Sequence, residues 1–157
     1  LDADGLGAFA RQGRTPRFGA RDVVLTPHPG ELARMLGSTA DEVLARRFEL
    51  VPELAARWGA VLVLKASPTL VGLPDGEVIV NPAGDDTLAR GGTGDVLTGV
   101  IGSLLAQGCS AADAARLGAL VHGLAGDLAG AELGRRGARV PEIADNVARV
   151  LAELEAL

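Results

Sequence analysis

The sequence predicts an α/β layered fold, and three observations carry the prediction. Two short runs, Val23–Thr26 and Ala60–Lys65, are apolar without polar alternation, as strands covered by helices on both faces are. Long stretches of helical periodicity fill the C-terminal part of the chain. Strands precede helices in the order that a layered α/β domain allows. The chain has 157 residues, the size of one domain, and 48% of them are hydrophobic, enough for a large core.

Taken in order, Leu1-Asp2-Ala3-Asp4 reads as the carboxyl end of a strand feeding a short helical turn over Gly5–Ala10. A domain rarely begins at such a point, so further strands are expected upstream of residue 1. Residues 11–22, with Arg, Gly and Pro, read as a surface loop. Val23–Thr26 is a buried strand ended by Pro27 and Pro29. Gly30–Leu36 has helical spacing, and Thr39-Ala40-Asp41-Glu42 is a capping box whose hydroxyl and carboxylate satisfy free backbone donors. Helix is expected from there to about Trp58, kinked or broken at Pro52, which has no N–H to donate. Ala60–Lys65 is expected as a central parallel strand. Thr69–Leu73 and Glu77–Val80 flank the turn Pro74-Asp75-Gly76 and predict a hairpin. Residues 81–93 read as loop. Helices follow over Gly94–Ala106, Ala111 to about Leu133, and Pro141–Ala156, with Pro141 suited to a first turn.

Composition narrows the function. Net charge is −5, with acids and bases interspersed, aromatics are 3% and tyrosine is absent. Nucleic-acid binding calls for a basic stripe and stacking aromatics, so nucleic acid is not an expected partner. No apolar run approaches the ~18 residues of a membrane span, and the first residues do not read as a signal peptide. The single cysteine, Cys109, cannot form an internal disulfide; it reads as a small buried side chain and fits a cytoplasmic location. Lys65 is the only lysine among the basic residues. Its compact ammonium suits a phosphate; a plain strand-end surface residue is the other reading.

The segment richest in chemistry is Arg90-Gly91-Gly92-Thr93-Gly94-Asp95-Val96-Leu97-Thr98-Gly99. Its glycines open the approach to backbone N–H groups at the positive end of a helix, where an anion is stabilised. Such an arrangement suits a migrating phosphoryl group. Asp95, in the first helical turn, is placed to take a proton from a substrate hydroxyl; the other reading makes it a helix cap. No Gly-Lys-Ser/Thr follows, so this is not a Walker A loop, and no dinucleotide Gly-x-Gly-x-x-Gly pattern follows an early strand. Thr26-Pro27-His28-Pro29-Gly30-Glu31 forms a stiff turn at a strand's carboxyl end, where ligands of open α/β sheets gather. There His28 can exchange a hydrogen bond with a ligand, and Glu31 can bind magnesium through water. A turn histidine and a dipole-favouring acid are the alternatives.

These segments, in this order, resemble a known family. Thr26–Glu31, Val63-Leu64-Lys65, Asn81-Pro82, Gly91–Gly99 and His122-Gly123-Leu124-Ala125-Gly126-Asp127 together look like the NAD(P)H-hydrate dehydratases of the ribokinase-like superfamily, and Leu1–Leu6 is similar to that family's mid-domain strand end. The resemblance spans essentially residues 1–157 and places the family's N-terminal portion upstream. It implies a ribokinase-like three-layer sandwich with a mostly parallel central sheet flanked by helices.

By the same resemblance, the chain would use ADP (ATP in eukaryotes) and Mg²⁺ to dehydrate (S)-NADHX or (S)-NADPHX. The hydroxyl would be phosphorylated and phosphate then eliminated. Asp95 would be the catalytic base and, with His28, would hold the hydrate. Gly92, Thr93 and Gly94 would form the anion hole. Lys65, Ala66, Ser67, Pro68 and Thr69, with Gly94, would contact the nucleotide, and Glu31 would face magnesium. His122 is expected to order a helix against the site. The resemblance also implies a homo-oligomer, a tetramer, and fusion to or partnership with an NAD(P)HX epimerase. The sequence departs from the family pattern at Ala66-Ser67-Pro68, which replaces a glycine-rich stretch. It departs again at Asp85-Asp86-Thr87, which stands where the family has a polar loop containing Asn and Pro. A ribokinase-like kinase of a vitamin precursor or sugar, and a non-catalytic nucleotide-binding module, are the competing readings.

Overall fold

Alternation along one strand sorts the core into two layers. The computed structural model describes residues 1–12, 16–18 and 22–156. In it, β2 (Val61–Leu64) is fully buried, and its neighbours in sequence point to opposite faces of the sheet. Leu62 and Leu64 pack with Leu25 of β1 (Val24–Leu25) and Leu70 of β3 (Leu70–Gly72) against one helical layer. That layer comprises α1 (Ala3–Gln12), α2 (Pro29–Leu36), α3 (Ala40–Ala45) and α4 (Arg47–Trp58), which contribute Leu6, Leu32, Val43, Leu54 and Trp58. Val61 and Val63, with Val24 and Val71, face the other layer. There α5 (Thr93–Ala106) supplies Leu97, Ile101 and Leu104, and α6 (Ala111–Leu133) supplies Ala111, Ala114, Ala115 and Ala119. Leucine fills the thicker layer, whereas valine meets the alanine face of α6. The helix α7 (Val140–Glu155) packs outside on α6 through Val121, Ala125, Ala129, Ile143 and Val150. Helix–sheet–helix layering is therefore as expected.

The sheet departs from expectation in one respect. Its order is β1-β2-β3-β4, with β4 at Val78–Val80. Only β1 and β2 run parallel, in register Val24↔Val61; β2–β3 and β3–β4 are antiparallel. Among the described residues the sheet is mixed, because the predicted hairpin adds two antiparallel pairings to one parallel pair. At the other edge of β1, the Leu1 backbone nitrogen donates to the Val24 carbonyl at 2.7 Å and the Leu1 carbonyl accepts from the Thr26 amide at 3.1 Å. Bonded on both sides in this way, Leu1 is paired as in a parallel strand, so the strand end expected over Leu1–Asp4 holds for Leu1, whereas Ala3 and Asp4 already belong to α1. The helix that follows is longer than a turn.

A second correction concerns the helix after the capping box. Thr39 and Glu42 make that box, but the helix breaks at Arg46 (φ −109°, ψ 14°), while Pro52 lies inside an unbroken α4. Pro52 follows directly on the first turn, so it deletes one intrahelical bond near the start of α4 and does not divide it. Within the loop expected at residues 11–22, Arg11 and Gln12 instead close α1, and residues 13–15 and 19–21 lie outside the described residues. The stretch 81–93 contains one short 3₁₀ turn, Asp86–Leu88. Among the described residues no helix is long and apolar enough to cross a membrane.

Candidate active site

Parallel pairing brings three chain segments to one end of the sheet. Leu1, β1 and β2 all finish there, and the Lys65 amide donates to the Pro27 carbonyl at 2.9 Å, continuing the ladder into the proline turn. Asp2, His28, Glu31 and Lys65 consequently emerge together where open α/β sheets bind ligands. The N-terminus of α5 meets them: a Cβ on Gly94 would lie 3.1 Å from Lys65 Nζ.

Lys65 is held rather than free. Its ammonium, only 18% exposed, donates to Asp2 Oδ1 at 2.8 Å and lies 3.7 Å from Glu31 Oε2. The other Asp2 oxygen accepts from the Thr98 hydroxyl at 2.9 Å, and Thr98 Oγ1 is 3.3 Å from Thr26 Oγ1. Burial pushes the Asp2 carboxyl up, but the hydrogen bond and charge of Lys65, with the Thr98 hydroxyl, outweigh it and hold the group below its usual range. Sequence reasoning gave Asp2, Thr26 and Thr98 no role, because their meeting depends on contacts across 96 positions of chain. The presence of Asp2 in the family-like Leu1–Leu6 segment was the available signal.

His28 and Glu31 form a reciprocal cap on α2. The imidazole Nδ1 accepts from the Gly30 and Glu31 amides at 3.1 and 3.4 Å, while Glu31 Oε2 accepts from the His28 amide at 2.8 Å. With Nδ1 accepting, the proton of the neutral ring sits on Nε2, on a side chain 50% exposed. His28 therefore offers a donor. Glu31 is buried, and its capping bond and its nearness to Lys65 fix its orientation.

The anion-hole residues divide between backbone and strut. Gly92 takes φ +94°, a left-handed conformation that glycine tolerates, and precedes the first residue of α5. The Thr93 hydroxyl is turned inward, donating to the Leu88 and Arg90 carbonyls at 2.8 and 3.0 Å. Its contribution to an anion is thus limited to its amide, which with that of Gly94 is among the donors that helix geometry leaves unpaired. The loop behind is clamped onto α6. Asn81 Nδ2 donates to Ala83 and Ala119 carbonyls at 2.9 and 3.1 Å, and Asp127 accepts from the Gly84 amide at 2.9 Å. Gly123 permits this closeness, since a Cβ there would sit 2.7 Å from the Ala83 carbonyl.

Between β2, this loop, α5 and α6 lies a cleft of about 280 Å³. Lys65, Ala66, Ser67, Thr69, Thr93 and Gly94 line it, so most of the expected nucleotide residues come together; Pro68 and Gly92 are not in its wall. His122 lines it too, buried from α6; burial pushes its imidazole down to about 4, against a smaller upward pull from the nearby Thr93 backbone. Asp95 is not in the wall. It is exposed, next in sequence to the cleft-lining Gly94, with no side-chain hydrogen bond or ion pair among the described residues. His28 likewise stands outside the cleft. Most of the residues expected for nucleotide thus line the cleft, whereas Asp95 and His28, expected for the hydrate, do not. No group of three or more His, Cys, Asp and Glu side chains that could hold a metal occurs among the described residues.

A sheet layered between helices, with a glycine-opened helix start and a lysine at the strand ends, is the arrangement of a ribokinase-like α/β protein. Comparison with known proteins is more specific. The family model described as NAD(P)H-hydrate dehydratase matches residues 1–149, and the chain belongs to that family. The bifunctional NAD(P)H-hydrate repair enzyme Nnr of Moorella thermoacetica is 44% identical over 155 residues, which cover 99% of this chain and 29% of the relative. An ADP/ATP-dependent NAD(P)H-hydrate dehydratase from Bacillus subtilis, co-crystallised with ATP/Mg²⁺, superposes with a TM-score of 0.86 at 35% identity, covering 98% of this chain and 53% of that one. A ribokinase-like superfamily protein from Enterococcus faecalis superposes with a TM-score of 0.70 at 25% identity, over 96% of this chain and 52% of its own. The chain spans about half the length of the solved structures it matches, and less of the bifunctional relative.

Proposed function

We infer that the protein carrying this chain dehydrates (S)-NADHX and (S)-NADPHX to NADH and NADPH, with ADP as phosphoryl donor. The observation that supports this reading best is the start of α5, where the Thr93 and Gly94 amides open beside the Lys65 ammonium onto the cleft. Amides at a helix start and a neighbouring cation stabilise the charge of a phosphoryl group in transit. In this reading the nucleotide lies in the cleft against Lys65–Thr69 and Gly94, and the hydrate lies on the open face with Asp95 and His28. Asp95 takes the proton of the ring hydroxyl as its oxygen bonds to the terminal phosphorus of ADP and AMP departs. Elimination of the new phosphate ester then restores the dihydropyridine, giving NAD(P)H, AMP and phosphate in balance. The His28 Nε2–H donor orients the hydrate.

Magnesium fits the donor set in a limited way. The ion is commonly held by one or two carboxylates and the substrate's phosphates, not by an all-protein cage. Glu31, oriented by the His28 amide, would face it through water, and the ion would neutralise charge on the phosphates. The protein is proposed to act in the cytoplasm as a homo-oligomer, a tetramer, with an NAD(P)HX epimerase fused to it or beside it; the Moorella relative carries the name of a bifunctional repair enzyme.

The test is to incubate the full-length protein with ADP, Mg²⁺ and (S)-NADPHX and follow the return of dihydropyridine absorbance. Recovery that requires ADP is expected. Phosphorylation of a thiazole or pyridoxal alcohol without recovery would establish the kinase reading instead.

A further inference from the structure

The wall of the cleft carries two adjacent acids, and the structure treats them differently. Asp85 is occupied: its Oδ1 accepts from the Thr87 amide at 2.8 Å, and its Oδ2 lies 2.9 Å from Arg135 Nε. Asp86 is exposed and its carboxylate has no hydrogen bond or ion pair among the described residues. With Ala89 it belongs both to the cleft and to a neighbouring hollow lined by Arg90, Arg135 and Arg136. Asp86 therefore forms the rim dividing the two. Two of those arginines are already committed, Arg90 to the Thr87 and Arg135 carbonyls and Arg135 to Asp85. The carboxylate of Asp86, unpaired among the described residues, is available to an occupant of the cleft.

The rest of the wall limits what that is. The cation, Lys65, and the start of α5 occupy one part of it, and these attract phosphate and would be opposed by a carboxylate close by. The rest of the lining is mixed, with apolar Ala66, Leu88 and Leu97 beside polar Ser67, Asn81 and His122. Such a surface accepts a flat base. An ionised carboxylate only accepts hydrogen bonds, so at the rim it selects donors and repels anions. Vicinal hydroxyls of a ribose meet both conditions, and an acid reads ribose hydroxyls in this way in dinucleotide folds.

We propose that Asp86 is the ribose-reading residue of this cleft: its carboxylate accepts from the 2′- and 3′-hydroxyls of the bound nucleoside diphosphate and so selects a free diol. The inference rests on the reading that the cleft binds nucleotide.

Calorimetric titration of the full-length protein and its Asp86→Ala variant with ADP and with 2′-deoxy-ADP tests it. The wild type should bind ADP roughly tenfold more tightly than 2′-deoxy-ADP, the effect of one charge-assisted hydrogen bond at a partly exposed site. In Asp86→Ala the preference should vanish, with ADP weakened and 2′-deoxy-ADP nearly unchanged. Equal wild-type affinities, or equal weakening of both ligands by the substitution, would overturn the ribose assignment and leave the nucleotide site standing. Failure of ADP to bind the wild type would overturn both. Circular dichroism checks that the variant folds, and Asp86→Asn, whose side-chain carbonyl keeps an acceptor, should retain part of the preference; its complete loss in Asn with none in Ala would also contradict the assignment.

Discussion

Lys65 Nζ donates to Asp2 Oδ1 at 2.8 Å across 63 positions of chain. The second oxygen of the same carboxylate accepts from the Thr98 hydroxyl, so Asp2 joins the end of β2 to α5, whose start is proposed as the anion hole. This pair orients the only lysine of the sequence at the place where phosphate is expected.

Asp2→Asn should therefore lower stability and weaken nucleotide binding together. At neutral pH a loss of about 1–3 kcal/mol is expected from urea midpoints. The folded-state carboxyl lies below its ordinary value of 3.8, so its contribution is present above that pH and is lost as pH falls through the lower folded value. The gap between wild type and variant should shrink on acidification below about pH 4. A constant gap would show that Asp2 acts without its charge.

His122 gives a pH response of a different origin. Its pKa falls from 6.5 to about 4 in the folded chain, mainly through burial, with Lys65 and the Thr93 backbone as neighbours. The unfolded chain takes up the proton first, so stability is full above pH 6.5 and declines between there and 4. On the order of 2–3 kcal/mol should be lost over that interval by this group. His122→Phe should show a flatter profile there, measured as urea midpoints at half-unit steps; identical slopes would contradict the assignment.

Thr93 should behave as a strut. Thr93→Ser keeps the hydroxyl that donates to Leu88 and Arg90, whereas Thr93→Val leaves those carbonyls without it. Thermal denaturation should place Ser within about 1 kcal/mol of wild type and Val about 1–2 kcal/mol below Ser. If Val matches Ser in stability but loses turnover, the hydroxyl acts on ligand instead.

Gly123→Ala should loosen the loop over α6. The added carbon would lie 2.7 Å from the Ala83 carbonyl carbon and oxygen, and backbone cannot yield as a side-chain tip does. A destabilisation of about 1–3 kcal/mol is expected, with weaker ADP binding because Ala83 and Gly84 line the cleft. Unchanged affinity would mean that loop placement does not set the nucleotide site.

Much of this was legible in the sequence because it is encoded locally. The Thr39 capping box, the Pro74-Asp75-Gly76 hairpin and the span of α6 each depend on residues a few positions apart. The break at Arg46 was not legible, since it lacks glycine or proline and the proline that signals a break, Pro52, sits where α4 tolerates it. The mixed sheet follows from the hairpin joining β2, a pairing that an apolar run alone does not specify. In the site, glycines and the lysine advertised a phosphate region, but the inward turn of the Thr93 hydroxyl and the capture of Lys65 by Asp2 arise from long-range packing. Asp95 was singled out as a base within the site; its exposed position beside the cleft, not in it, shows only in three dimensions.

The proposed division of labour, with nucleotide in the cleft and the hydrate beside Asp95, is tested most directly on Asp95. Turnover of (S)-NADPHX and calorimetric ADP affinity should be measured in parallel for wild type and Asp95→Asn. The account predicts a fall in turnover of roughly 10²–10⁴-fold, as loss of a general base gives, with ADP affinity within about twofold because the carboxylate lies outside the cleft wall. Undiminished turnover, or a collapse of ADP affinity that accounts for the lost rate, would contradict it.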